Sequence, residues 1–177
     1  MSLGKIISAV LAVICCIFAP LIFFTQQHDS TIQTIVYKYT VDFVEDMREQ
    51  GKLTQDMYNM FIRDLDATGM LYSIKIECAH ETVVPVFNED GTVKGTKEIT
   101  EVIYGDDILE KVFTDVVSDE EVSSGVYNFD KGDRITVTVV SREETMSSKL
   151  FNSLVSNSGV DEKIYALYGG VIRDENH

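Results

Sequence analysis

From Ile6 to Phe24 the chain runs nineteen residues (IISAVLAVICCIFAPLIFF) without a charge, interrupted only by Ser8 and Pro20, and from there on apolar and polar positions interleave. As a helix rising 1.5 Å per residue this run is about 28 Å long, close to the roughly 30 Å hydrocarbon core of a bilayer. A cleaved secretory signal needs a shorter apolar core and small residues just before the cut, a position where Phe23 stands. A lipoprotein cut before Cys15 wants small residues where Val13 and Ile14 are found. Length and flanks favour an uncleaved anchor over a cleaved signal or a buried helix of a soluble protein. Lys5 precedes the run, whereas Gln26, Gln27, His28 and Asp29 follow it. Positive charge stays inside, so the expected topology is a single pass through the cell membrane, N-terminus cytoplasmic and C-terminal domain extracellular.

Beyond the anchor (1–29) the period changes to that of an amphipathic helix. Ile32, Ile35, Val36, Tyr39, Phe43 and Met47 recur at three- and four-residue steps, and Gly51 is placed to end the helix. This stalk, 30–52, has no Pro or Gly between Phe24 and Gly51, so the anchor can run straight into it, with a bend expected, if anywhere, in the polar stretch 25–30. The head, 53–177, opens with a helix capped by Thr54 that turns Met57, Met60, Phe61 and Leu65 inward and stops at Gly69. Residues 72–78 alternate as a strand, with Tyr72, Ile74, Ile76 and Cys78 on one face. Val83–Phe87 and Thr96–Tyr104 read as two strands around a turn at 88–91, with Pro85 pushing the first towards an edge. Asp106 caps a helix bearing Ile108, Leu109, Val112, Phe113 and Val116, and 118–125 is an acidic loop. A turn at 130–133 leads into a strand over 134–140, whose Ile135, Val137 and Val139 share a face. Thr145 caps a helix whose expected inner side is Met146, Leu150, Phe151, Leu154 and Val155, ended by 157–159. A last strand at 163–167 meets Gly169-Gly170, and the tail 174–177 is expected to fray. Helices and strands in this order predict an α+β fold with a mostly antiparallel sheet.

Composition narrows the partners. The 177 residues carry 15 Lys+Arg against 29 Asp+Glu, a formal charge of −14, and all but one of the cations and every acid follow Phe24. Such a head cannot assemble a basic face for phosphate, which excludes an extended nucleic-acid interface. Cys15 and Cys16 fall inside the apolar run, where thiols pack as small hydrophobes, leaving Cys78 the one exported cysteine and no internal disulfide to expect.

Catalytic chemistry finds few carriers. His28, His80 and His177 are the only histidines, and Cys78 and His80, two apart on a strand, share a face and could in principle form a thiol–imidazole couple or half a metal site. No further Cys or His completes either one, so the expectation is a core Cys78 with His80 where the strand leaves it. Neither 88–91 nor 130–133 has the spacing of a calcium loop, and Gly169-Gly170 lacks the helix that follows a phosphate cradle, so a close backbone approach is expected there. No catalytic residue, cofactor or metal is assigned.

An apolar N-terminal helix continuing into an amphipathic one, capped by a small α+β head, resembles the pilin and pseudopilin architecture. More narrowly, GKLTQDMYNMFIRDLDATGMLYSIKIECAHE at 51–81, YNFDKGDRITVTV at 127–139 and YALYGGVIR at 165–173 resemble small membrane-anchored proteins of Gram-positive anaerobes that accompany Tad-type (Flp) pilus or type II/IV secretion-like machinery. The resemblance implies a structural, non-enzymatic role. Where a prepilin signal has a small residue, four apolar residues and Glu, this chain has Gly4 followed by Lys5, Ile6, Ile7, Ser8 and Ala9. That departure favours an unprocessed, TadE-like minor component over a major fibre subunit. Its partners would be membrane lipid and envelope proteins met through the N-terminal helix. Helix association in lipid depends on small residues, and Gly4, Ser8, Ala9, Ala12 and Ala19 supply a partial small face. The alternative is a membrane-tethered extracytoplasmic ligand-binding or sensor domain, which requires a concave pocket with convergent polar groups. An envelope hydrolase ranks last, for want of a nucleophile–base pair or a metal set.

Overall fold

The computed structural model describes the backbone of residues 3–87, 93–113, 117–118, 121–122, 125–155 and 159–173, with side chains described outside 83–98 and 114–124. The expected turn at 88–91, Val116, most of the acidic loop, residues 157–158 and the tail 174–177 lie outside those residues.

One helix, α1 (Leu3–Gln50), runs unbroken through both the apolar run and the amphipathic stripe, with Pro20 inside it. Its 48 residues are about 72 Å long at 1.5 Å each. Gly51, at φ 65°, ends it, its N–H reaching the Met47 carbonyl at 2.9 Å. The left-handed conformation is one that glycine adopts without a Cβ penalty, which is why the helix stops here.

The head is built on a four-stranded antiparallel sheet. β2 (Tyr72–Phe87) lies between β3 (Val93–Tyr104) and β7 (Arg134–Ser141), and β8 (Tyr165–Val171) pairs with the far side of β7. The register places Ile76 opposite Val137, Cys78 opposite both Ile135 and Ile103, and Val139 opposite Ala166. One apolar face results, and α1 packs across it at β7 and β8. Ile32, Val36, Phe43, Val44 and Met47 of α1 share a single core with Ile76, Cys78, Ile135, Val137 and Val139. α2 (Gln55–Asp66) is capped by Thr54, whose hydroxyl accepts from the Met57 N–H, and Phe61 stacks face to face on Phe43 at 4.2 Å. α3 (Gly105–Phe113) buries Ile108 and Val112.

The structure differs from the sequence expectation in several places, among them α3, which begins at Gly105 and so holds Asp106 in its first turn rather than as its cap. β2 does not end at Cys78 but continues to Phe87, so His80 is mid-strand rather than at an exit, and Pro85 lies in the stretch that pairs with β3 alone. A two-stranded ribbon joins β1 (Lys52–Thr54) to β6 (Val126–Asn128), and β4 (Val117–Ser118) pairs with β5 (Glu121–Val122) inside the expected acidic loop. Met60 of α2 is exposed, while Phe61 and Leu65 are buried and Met57 packs partly buried against the core. In α4 (Met146–Leu154) the expected inner side is largely exposed beyond the first turn. Met146, Phe151, Leu154 and Val155 are exposed, while Ser147 and Ser148 are buried.

The sheet edge explains Gly169 and Gly170, which sit inside β8 rather than beyond it. A Cβ on Gly169 would lie 2.6 Å from the Ile135 carbonyl oxygen, and one on Gly170 would collide with the Arg48 side chain. Close approach is therefore what both positions require.

Candidate functional site

The distinctive feature of the molecule is the way α1 divides. From Leu3 to Phe24 the helix is exposed except at Phe18 and Ile22, which are partly covered, and its most apolar eighteen-residue window has none of its residues buried. It is the one helix among the described residues long and apolar enough to cross a membrane. Covered positions then follow at Thr25, Asp29, Ile32, Val36, Thr40, Phe43, Val44 and Met47, the spacing of one helical stripe. The head thus begins where the uncharged run stops.

Polar latches fix the covered half to β8, the strand at the sheet's edge. Near its start the Gln33 side-chain amide reads the Tyr165 backbone like a missing strand, donating to its carbonyl at 2.5 Å and accepting its N–H at 3.1 Å. Near its end Arg48 pairs with Glu45 and donates to the Val171 carbonyl at 3.0 Å. The Tyr168 hydroxyl donates to Glu45 at 2.7 Å, and this bond, with the Arg48 charge, holds the Glu45 carboxyl below its ordinary range despite some burial. These contacts occupy the open edge of the sheet, which would otherwise present unpaired backbone groups.

A third latch lies at the lower end of the head. Asp29, nearly buried, accepts from the backbone N–H of Met146 at 3.2 Å and of Ser147 at 2.7 Å. A carboxylate here satisfies two orphan donors of α4 and faces the positive end of the helix dipole. Thr145 caps the same helix locally by accepting from Ser148, and the Ser148 and Asn152 side chains both donate to the Val160 carbonyl.

The small residues of the apolar half of α1, Gly4, Ser8, Ala9, Ala12 and Ala19, are all exposed. The Ser8 hydroxyl donates to the Lys5 carbonyl, and a Cβ at Gly4 would meet nothing within 4 Å. At 3.6 residues per turn Gly4, Ser8, Ala12 and Ala19 fall within about 80° of one another, with Ala9 some 60° beyond, and this face is turned roughly a quarter of the way round from the stripe that the head covers.

The distal end holds the one constellation with reactive side chains that the sequence singled out. His80 Nδ1 lies 2.5 Å from one oxygen of the buried Asp133 and 3.9 Å from Asp130. The other Asp133 oxygen accepts from the Asp130 N–H at 3.0 Å and from the Cys78 thiol at 3.6 Å. Burial first, then the Asp133 charge, pushes the Cys78 thiol up to about 12, so it stays protonated at neutral pH and is no nucleophile. His80 is pushed up chiefly by its hydrogen bond to Asp133. Cys78 and His80 do share a face, as expected, but they meet through Asp133 rather than as a couple. Donor atoms of His80, Asp130 and Asp133 fall within 4.8 Å of one another, with Asp133 already engaged on both oxygens. The arrangement ties the 130–133 turn to the middle of β2.

Two of the concavities matter here: an aromatic- and Met-lined one between α1 and α2, at Tyr39, Phe43, Met57 and Phe61, and a more polar one lower down. The latter, about 400 Å³, lies beside the Asp29 latch and is lined by Gln26, Asp29, Gln33, Thr145, Glu162 and Lys163. Its two central groups, Asp29 and Gln33, are spent on backbone partners.

Comparison with family models, curated proteins and solved structures finds no match to this chain.

Proposed function

We propose that this protein is a non-enzymatic, membrane-anchored extracytoplasmic component of a Tad-type pilus or secretion-like assembly, a minor pilin-like subunit that acts by holding its head at the outer membrane–water boundary and packing its helix against others. The observation that carries the reading is the division of α1: an apolar length with no buried residue in its most apolar eighteen-residue window, continuous with a length that forms the spine of the head's core. Nineteen uncharged residues left bare to water would cost far more than a domain's few kcal/mol of net stability, whereas in lipid they are at home. Lys5 before the run and the acidic head after it favour the N-terminus inside.

Lateral association would use the small face of Gly4, Ser8, Ala9, Ala12 and Ala19 on envelope partners carrying comparable helices. The distal His80–Asp133 pair supplies no activated nucleophile, and the groove beside Asp29 offers few uncommitted polar groups, so neither favours turnover or small-ligand binding over assembly. The test is cross-linking and co-purification of the full chain from its own membranes. Ala12→Ile is expected to abolish a heteromeric cross-linked species that Lys38→Ala, on the exposed side of the stalk, leaves intact. Failure of the wild-type chain to cross-link to any membrane protein would overturn the assembly role.

A further inference from the structure

Beyond its first turn α4 leaves its apolar residues uncovered. Its buried positions are serines, while Met146, Phe151, Leu154 and Val155 are 56%, 40%, 41% and 50% exposed. Its place in the fold gives this a meaning. The Asp29 latch sets the start of α4 five residues beyond Phe24, the last residue of the uncharged run. The covered stripe of α1 does not stop at Asp29. It continues down through Thr25 to Ile22 and Phe18, both partly covered and at the same helical spacing, and α4 is the element packed on α1 at this end. At 1.5 Å per residue, Ile22 and Phe18 lie about 3 and 9 Å inside the end of the run. The start of α4 is thus held within two turns of the end of the apolar run.

Charge follows the same boundary. Residues 145–160 form the longest stretch after the anchor without an acid, sixteen residues with only Lys149 charged, in a chain carrying 29 acids. Lys149 sits on the opposite side of the helix from Leu154 and pairs with Glu143. An acid-free helix with one apolar side, held at the rim of a hydrocarbon-length segment, has the pattern of an interfacial element that buries its apolar face about 5–10 Å into the headgroup–acyl boundary.

We infer that the exposed apolar face of α4 is seated in the outer leaflet of the same membrane, making a second, shallow lipid contact that sets how the head stands on its anchor. This rests on the proposed membrane span. The occupant is lipid rather than a second protein because the start of α4 is held beside the end of the apolar run, where the membrane boundary lies.

The test uses the full chain in phosphatidylcholine vesicles containing a minor share of phosphatidylglycerol. Cys15 and Cys16 are replaced by Ala, and Cys78 is kept because its buried thiol is unreactive. An environment-sensitive fluorophore is then placed singly at Val13→Cys, Leu154→Cys or Lys149→Cys. A lipid carrying a nitroxide near the top of its acyl chain is expected to quench the Leu154 site at least about twofold more than the Lys149 site, with aqueous iodide showing the reverse order. Iodide quenching at Leu154, with lipid quenching confined to Val13, would overturn the inference and leave the anchor standing. Shielding of Leu154 from both quenchers, with a cross-link between copies, would overturn it in favour of a protein contact. Absence of lipid quenching at Val13 would overturn the span and this seat together.

Discussion

The Asp29 latch lends itself to a quantitative perturbation, because one side chain joins two parts of the chain 117 residues apart. Asp29→Ala removes two charge-assisted bonds, at 3.2 and 2.7 Å, from the first turn of α4 and leaves the Met146 and Ser147 N–H groups without an acceptor. Hydrogen bonds to charged groups are worth about 1.5–3 kcal/mol, and loss of a helix cap about 0.5–2. Thr145 still caps Ser148, so the two terms overlap and about 2–3 kcal/mol is a reasonable total. With about 1.4 kcal/mol per decade, local opening of α4 should become roughly thirty- to a hundredfold more frequent. Amide hydrogen exchange on the full chain in detergent micelles reads this directly at residues 146–150, and Asp29→Asn, which keeps one acceptor oxygen, should lose about half as much. Exchange at those amides that stays within about threefold of the wild type in Asp29→Ala, equivalent to less than ~0.7 kcal/mol, would refute the claim that Asp29 holds α4 to α1.

Three further outcomes are expected from urea titrations of the full chain in micelles. Phe61→Ala removes a nearly buried ring stacked at 4.2 Å on Phe43 and should cost about 3–5 kcal/mol, and a loss under ~1 kcal/mol would mean that α2 does not share the α1 core. Gly169→Ala forces a Cβ to within 2.6 Å of the Ile135 carbonyl oxygen, for an expected cost of about 1–3 kcal/mol, and an unchanged midpoint would contradict the close approach of β8 to β7. His80 is raised in the folded state by its hydrogen bond to Asp133, so its contribution is full below the ordinary histidine value near 6.5 and fades as pH climbs through the raised one. His80→Gln should accordingly be more costly at about pH 6 than at about pH 9, and an equal cost at both would disprove the pairing.

Much of the fold was legible because local chemistry and tertiary context agree. The Thr54 and Thr145 caps, the Gly51 stop and the alternation of Ile135, Val137 and Val139 each appear where the pattern put them. The length of β2 was hidden by Ala79-His80-Glu81-Thr82, which break the apolar alternation yet pair residue for residue with β3. The β1–β6 ribbon is three residues long, too short to carry a period. The exposure of α4 was not foreseen because apolar residues were assigned to the interior. Here the interior contact is made by Ser147 and Ser148 against polar groups, and the reason lies in an aspartate more than a hundred residues away. The meeting of Cys78 and His80 through Asp133 likewise needed the pairing of β2 with β7 before it could be seen. The small face of the anchor could be located from spacing alone, but its rotation away from the head became visible only once the covered stripe was known.

The role assigned to the chain depends on where α1 sits, and protease shaving of intact cells measures that most directly. Externally added proteinase should remove the head and leave a membrane-embedded fragment that begins upstream of Ile6 and ends close to Asp29, with the full chain resisting alkaline carbonate extraction beforehand. A head shielded from the protease until the cells are lysed, or a mature chain that is recovered in the soluble fraction and begins beyond Phe24, would contradict it.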